Sequence, residues 1–200
     1  YKKQLEQEQQ NYEQLLTDLE NGEKNLDEVI TNLSVVGVGD SVMLGAVNNL
    51  YEQFPNGYFD AQISRTAWVA HGILSSLKKN NMLGDIVVLN LGANGDCSID
   101  CKKEIIEDCG DRHIFWLTVT NDKDVNVNKE LFKLSDKYDN VHIIDWETIS
   151  KGHGEYFFAD GIHLTGKRRE VYTKTIYDSN YNVYLEDYKN KKEELINSHE

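Results

Sequence analysis

The stretch Val35-Val36-Gly37-Val38-Gly39-Asp40-Ser41-Val42-Met43-Leu44-Gly45 decides the fold. Val35–Val38 is a short β-branched run and reads as a buried strand. It breaks at Gly39-Asp40-Ser41 and gives way to helical spacing over about 42–54. A strand that turns straight into a helix is the opening unit of a parallel α/β sheet. Working outward, the same alternation repeats. Tyr58–Ile63, Ile86–Leu91, His113–Val119 and Val141–Asp145 are further strand-like runs. Helical spacing lies near 67–80, 99–108 and 127–138, and again from His163 to about Ile176. The pattern predicts a three-layer α/β/α sandwich around a five-stranded parallel sheet, over residues 34–176. In such a sheet the functional residues gather at the carboxyl ends of the strands.

The two ends of the chain read differently. Leu5, Tyr12, Leu19, Leu26 and Leu33 recur every seven residues, with Leu16 and Ile30 beside them. That predicts a helical arm over 1–33, split or kinked at Asn21-Gly22, with Gln9 and Glu23 interrupting its apolar seam. Residues 177–200 read as a helical tail in which Tyr181, Tyr184, Leu185, Tyr188 and Leu195 make one weak stripe. Two orphan stripes each expose apolar area unless paired, so arm and tail are expected to pack together. The first residue is Tyr1 rather than Met, which we read as a piece of a longer or processed protein.

Composition removes several classes of function. The chain has 34 acidic and 21 basic residues among 200, a net charge of −13. That field repels a phosphate backbone, so no nucleic acid partner is expected. No apolar run approaches the length of a membrane span. Cys97, Cys101 and Cys109 are too few for a disulfide framework, and no matching Cys/His spacing suggests zinc. Cys97 and Cys101 are spaced to bridge or simply to lie near each other at a loop–helix junction; both readings stand.

Three motifs carry chemistry. Ser41, at a strand-to-helix turn, holds its hydroxyl out at the sheet edge and its N–H at a helix start, where an anion is favoured. An acyl-transfer serine needs both, although a plain helix cap looks similar. Asp40 reads as the turn-former of that motif. Asp160-Gly161-Ile162-His163-Leu164 offers a base and, three residues before it, an acceptor to orient its ring. Alone it is a common surface turn. Leu91-Gly92-Ala93-Asn94-Gly95 ends the third strand with an amide able to donate to an oxyanion, although Asn-Gly turns are common too.

In this order and at these strand ends, the three motifs resemble the SGNH (GDSL-like) hydrolase superfamily, over roughly residues 34–176. Asp60-Ala61-Gln62-Ile63-Ser64-Arg65 stands where its second block lies, with Ser64 in the place of a glycine; Asn94-Gly95 replaces the usual Asn-Asp. Asp145-Trp146 and Leu164-Thr165 narrow the resemblance to the extracytoplasmic domain of peptidoglycan O-acetyltransferases, which are fused to a multi-pass membrane acyltransferase domain. Arg168 departs from a glycine common near that position.

The resemblance implies a flavodoxin-like strand order and a triad of Ser41, His163 and Asp160. It implies an oxyanion hole built from the N–H groups of Ser41 and Ser64 and the amide of Asn94. It implies no metal or cofactor. The acetyl donor would come from a membrane acyltransferase domain expected upstream, and the acceptor would be a cell-wall glycan, the muramoyl C6 hydroxyl. The domain would sit extracytoplasmically at the cell surface. Arg65, Trp68 and Trp146 are candidates for contacting that acceptor. Arg65 can equally pair with a surface acid, and a tryptophan, Trp116 included, is more often core. His71, His113, His142 and His153 have no partner spacing and read as structural or surface residues. Two alternatives remain: an esterase of the same superfamily that uses water as acceptor, and a non-catalytic wall-binding module.

Overall fold

A computed structural model describes residues 2–120, 126–159 and 163–199, with Lys167 described in its backbone only. The chain divides into two compact units: Asn32–Tyr177, and Tyr1–Thr31 together with Asp178–Glu200.

The larger unit holds one sheet in the order β2-β1-β3-β4-β5, every pair parallel. The strands are β1 (Val35–Gly39), β2 (Tyr58–Ala61), β3 (Ile86–Asn90), β4 (His113–Leu117) and β5 (Val141–Ile144). β1 and β3 are buried at every position, which is why they read as continuous apolar runs. The edge strands β2 and β5 are only partly buried, and their sequences are more polar. Successive side chains alternate between faces. On one face Val36, Val38, Val87, Leu89, Ile114 and Trp116 form a single core. Leu74 and Leu77 of α4 (Ala70–Lys79), Ile105 of α5 (Ile99–Cys109) and Leu131 of α6 (Val127–Ser135) complete it. On the other side α3 (Ser41–Gln53) buries Met43, Ala46 and Leu50. This is the expected sandwich with the expected strand order.

Gly39 explains how α3 can double back so tightly on β1. A Cβ at this position would lie 2.5 Å from Met43 Cβ. Any side chain there would push the helix off the strand end.

One disulfide joins Cys97 to Cys101, resolving the question the spacing left open. Cys109 is free and buried, and burial pushes its thiol up to about 12.

The final helix departs from expectation. It does not end near Ile176; α8 runs Gly166–Asn197. No Gly or Pro follows Gly166, so nothing in the local sequence stops it.

In the smaller unit, α1 (Lys2–Lys24) pairs antiparallel with the chain from Asp178 onward. Tyr12 stacks on His199 at 3.8 Å, and Lys192 pairs with Glu23. Arm and tail therefore pack together, as their stripes suggested. Asn21-Gly22 does not break α1; the interruption falls at Asn25, before α2 (Leu26–Asn32). Gly22 instead makes room for Tyr188, whose ring lies 2.6 Å from where a Cβ would be. No helix among the described residues is long and apolar enough to cross a membrane.

Candidate active site

In a sheet of this order the chain reverses direction between β1 and β3, and ligands bind outside the carboxyl ends at that point. Ser41 follows β1 and Asn94 follows β3, so the two motifs flank the switch.

Ser41 is fixed by its neighbour. Asp40 caps α3: its Oδ1 accepts from Val42 N–H at 2.9 Å, and its own N–H donates to Asn90 O at 3.1 Å. Ser41 is thereby the first residue of the helix, with its N–H among the unsatisfied donors at the positive end. Its Oγ lies 2.9 Å from Nε2 of His163. That histidine sits on a segment paired with residues 156–158. Phe157 bridges antiparallel to Leu164, Phe158 N–H donates to His163 O at 2.8 Å, and Thr165 N–H donates to Tyr156 O at 3.1 Å. Leu164 is buried and anchors the returning arm. Asp160, the expected third member, lies outside the described residues.

Two loops lie beside Ser41. In the first, Ser64 adopts a left-handed φ of 58° in the place where the family's pattern has glycine. Gln62 N–H donates to Gly39 O at 3.2 Å, which ties this loop to the end of β1. In the second, the Asn94 amide nitrogen lies 3.3 Å from Arg65 O and 3.5 Å from Asp40 Oδ2. The loops join again where Ala67 N–H donates to Gly95 O at 2.9 Å.

The three acceptor candidates fare differently. Arg65 is committed elsewhere: its guanidinium donates to Asp60 Oδ1 at 2.7 Å and to the Asp60 carbonyl, and its side chain is 8% exposed. It braces the loop and has no charge to spare for an acceptor. Trp146 is 2% exposed and packed edge-on against Tyr172, so it is a core wedge. Trp68 alone is open, at 64% exposure. It borders a groove of about 510 Å³ shared with Tyr58, Asp60, Gly72, Ile73 and Ser76. Trp116 is in the core. His71 pairs with Asp108, His113 with His142 and His153 with Glu155. No cluster of metal-ligating side chains occurs among the described residues.

Asp40 does more than its motif suggested. It is fully buried, and burial pushes its carboxyl up to about 6, against the opposing pull of the Val42 N–H and the charge of His163. It thus touches the helix start, the Asn94 amide and the field around the imidazole at once. The only sequence signal was its place beside Ser41. Tyr172, whose hydroxyl donates to Asn90 Oδ1 beneath the site, had none.

The arrangement suits acyl transfer. An imidazole nitrogen lies within hydrogen-bond reach of a serine hydroxyl, the geometry a general base needs to take that proton.

Comparison with known proteins gives the context. No protein-family profile matches the chain. The O-acetyltransferase OatA of Staphylococcus aureus (strain NCTC 8325 / PS 47) is 35% identical over 143 residues, which is 70% of this chain and 24% of that protein. The chain therefore spans about a quarter of the length of the curated relatives it matches. Among solved structures, the C-terminal catalytic domain of Streptococcus pneumoniae peptidoglycan O-acetyltransferase A superposes with a TM-score of 0.62 at 23% identity, covering 80% of this chain and 96% of that one. A family 3 carbohydrate esterase from Clostridium thermocellum superposes with a TM-score of 0.59 at 13% identity, over 76% and 97%. The chain is a homologue of the OatA O-acetyltransferases, and its larger unit has the SGNH-like fold of their catalytic domain.

Proposed function

We propose that this chain is a serine O-acetyltransferase domain that moves an acetyl group through Ser41 to a cell-wall sugar hydroxyl. The single observation that carries the reading is the 2.9 Å contact between Ser41 Oγ and His163 Nε2 at the start of α3, in a homologue of OatA.

The chemistry runs in two halves. His163 Nε2 takes the proton of Ser41, and Oγ attacks the carbonyl carbon of an acetyl ester. The oxyanion is held by the N–H groups of Ser41 and Ser64 and by the Asn94 amide. Of that amide's two contacts, the one to Asp40 is long at 3.5 Å, so one hydrogen is only weakly engaged and can turn to the oxyanion. Collapse expels the donor's alcohol, which takes the proton back from the imidazolium. The acceptor hydroxyl then gives its proton to His163, attacks acetyl-Ser41, and releases Ser41 with its proton restored. Asp160 is assigned to orient the imidazole and stabilise its charged form.

The acceptor proposed is peptidoglycan, at the muramoyl C6 hydroxyl, which sets the domain outside the cytoplasm. The donor proposed is acetyl delivered by a membrane acyltransferase domain upstream. Trp68 offers an exposed ring face for a sugar. The fold shared with carbohydrate esterases keeps hydrolysis as a second reading. A transferase must favour a sugar hydroxyl over bulk water, which requires binding energy from the acceptor. The test supplies muro-oligosaccharides with an activated acetyl ester and reads the sugars by mass spectrometry. Acetylated sugar over slow background hydrolysis is expected. Free acetate alone, with rapid deacetylation of pre-acetylated sugars, selects the esterase.

A further inference from the structure

We propose that Lys102 is a positioning residue for catalysis: with the Cys97–Cys101 disulfide, its ammonium pins the loop that carries Asn94. The inference rests on the reading of Asn94 as an oxyanion donor. It adds a clamp that the motif does not contain.

The loop needs holding. Asn94 stands between Gly92, at φ 122°, and Gly95, at φ 140°, both in the region that L side chains rarely adopt. Two such residues around one donor leave the backbone few steric restraints of its own. Downstream, restraint arrives in quick succession. The Lys102 side chain is 1% exposed, and Nζ meets Asp96 Oδ2, Cys97 O at 3.2 Å and Glu130 Oε2 at 2.6 Å. An ammonium has three hydrogens, and here each has one acceptor. Two of those acceptors belong to the Asn94 loop and the third to α6. The same loop is tied covalently where Cys97 bonds Cys101 in the first turn of α5. Ser98 Oγ caps that turn by accepting from Cys101 N–H at 3.2 Å.

A buried cation between two carboxylates is not a general stabiliser, because desolvation offsets much of the attraction. Its value here is geometric. The charges fix Asp96 and Cys97 against two helices, and so fix where Gly95 and Asn94 begin. An oxyanion donor must sit within a few tenths of an ångström of its place, and small displacements are costly in rate. Without the clamp, Asp96 and Glu130 are left facing each other and the loop can swing on its glycines.

The test uses kinetics with an activated acetyl ester on the full chain. Lys102→Met, which keeps the stem and removes the charge, should lower kcat by about tenfold or more with KM nearly unchanged. Lys102→Arg, which keeps a buried cation with several donors, should recover part of that loss. Lys103→Met is the control, because Lys103 pairs with exposed Asp100 outside the clamp, and it should change nothing. In an Asn94→Ala background, Lys102→Met should cause no further loss, since the clamp acts through that amide. If Lys102→Met does not fold, Cys97→Ser with Cys101→Ser releases the covalent tie alone and should lower kcat in the same Asn94-dependent way. Equal losses with and without Asn94, or a loss confined to KM, overturn the clamp while leaving the oxyanion reading in place. An Asn94→Ala variant with normal kcat overturns both.

Discussion

The two loops proposed to supply oxyanion donors are held by opposite means. The Ser64 loop follows an edge strand and is braced by one residue within itself, with Arg65 donating to Asp60 five positions earlier. Its one sharp turn is carried by a serine in a left-handed conformation. The Asn94 loop follows a central strand and takes its sharp turns at two glycines. Its internal tie is one backbone bond, Gly95 N–H to Gly92 O at 3.3 Å, and it draws further restraint from α5 and α6 through Lys102 and a disulfide. A backbone N–H is positioned well enough by a short local brace. A side-chain amide adds its own rotations, so it needs a better-anchored base.

Asp40 faces the Asn94 side of the site. Its folded carboxyl titrates near 6, above its ordinary value of 3.8, because it is buried. Below both values it is protonated folded and unfolded alike, and no penalty applies. As pH rises through the window from about 4 to about 6, the unfolded chain ionises first and the native state loses stability, by up to about 3 kcal/mol. Asp40→Asn should flatten that part of the profile when urea unfolding is followed against pH. Parallel profiles for the two proteins mean that the carboxyl is not held up by burial.

A smaller effect is expected on the other loop. Ser64→Gly removes the strain of a left-handed residue, about 1 kcal/mol, and offsets part of it by loosening the unfolded chain. The melting temperature should stay level or rise slightly, and kcat should hold within about twofold because the backbone N–H remains. A clear fall in kcat at constant KM would instead give the Ser64 hydroxyl a part in the chemistry.

What the sequence made legible was local. The strand runs and the Gly39-Asp40-Ser41 turn are each set within a few residues, and each appears where its pattern placed it. The pairing of arm and tail was legible too, since an apolar stripe demands a partner. Accessibility was not legible. Arg65 and Trp146 stand at positions next to the site, yet one is consumed by Asp60 and the other by Tyr172. Spacing says which residues approach a strand end, not which way each side chain is already spent. Lys102 was invisible for a related reason. Its partners lie at 96, 97 and 130, and only the packing of α5 and α6 brings them to one nitrogen. The length of α8 was misjudged because the apolar stripe weakens after Ile176, although nothing in the local sequence ends the helix.

The central claim is that acetyl passes through Ser41, and it has a direct measurement. The chain is mixed with an activated acetyl ester, quenched in acid within the first turnovers, digested and read by peptide mass spectrometry. One acetyl group is expected on the peptide containing Ser41, lost when muro-oligosaccharide is added before the quench, and absent from Ser41→Ala, which should be folded and inactive. Turnover by Ser41→Ala close to that of the unaltered chain, with no acetyl found on the Ser41 peptide, would contradict it.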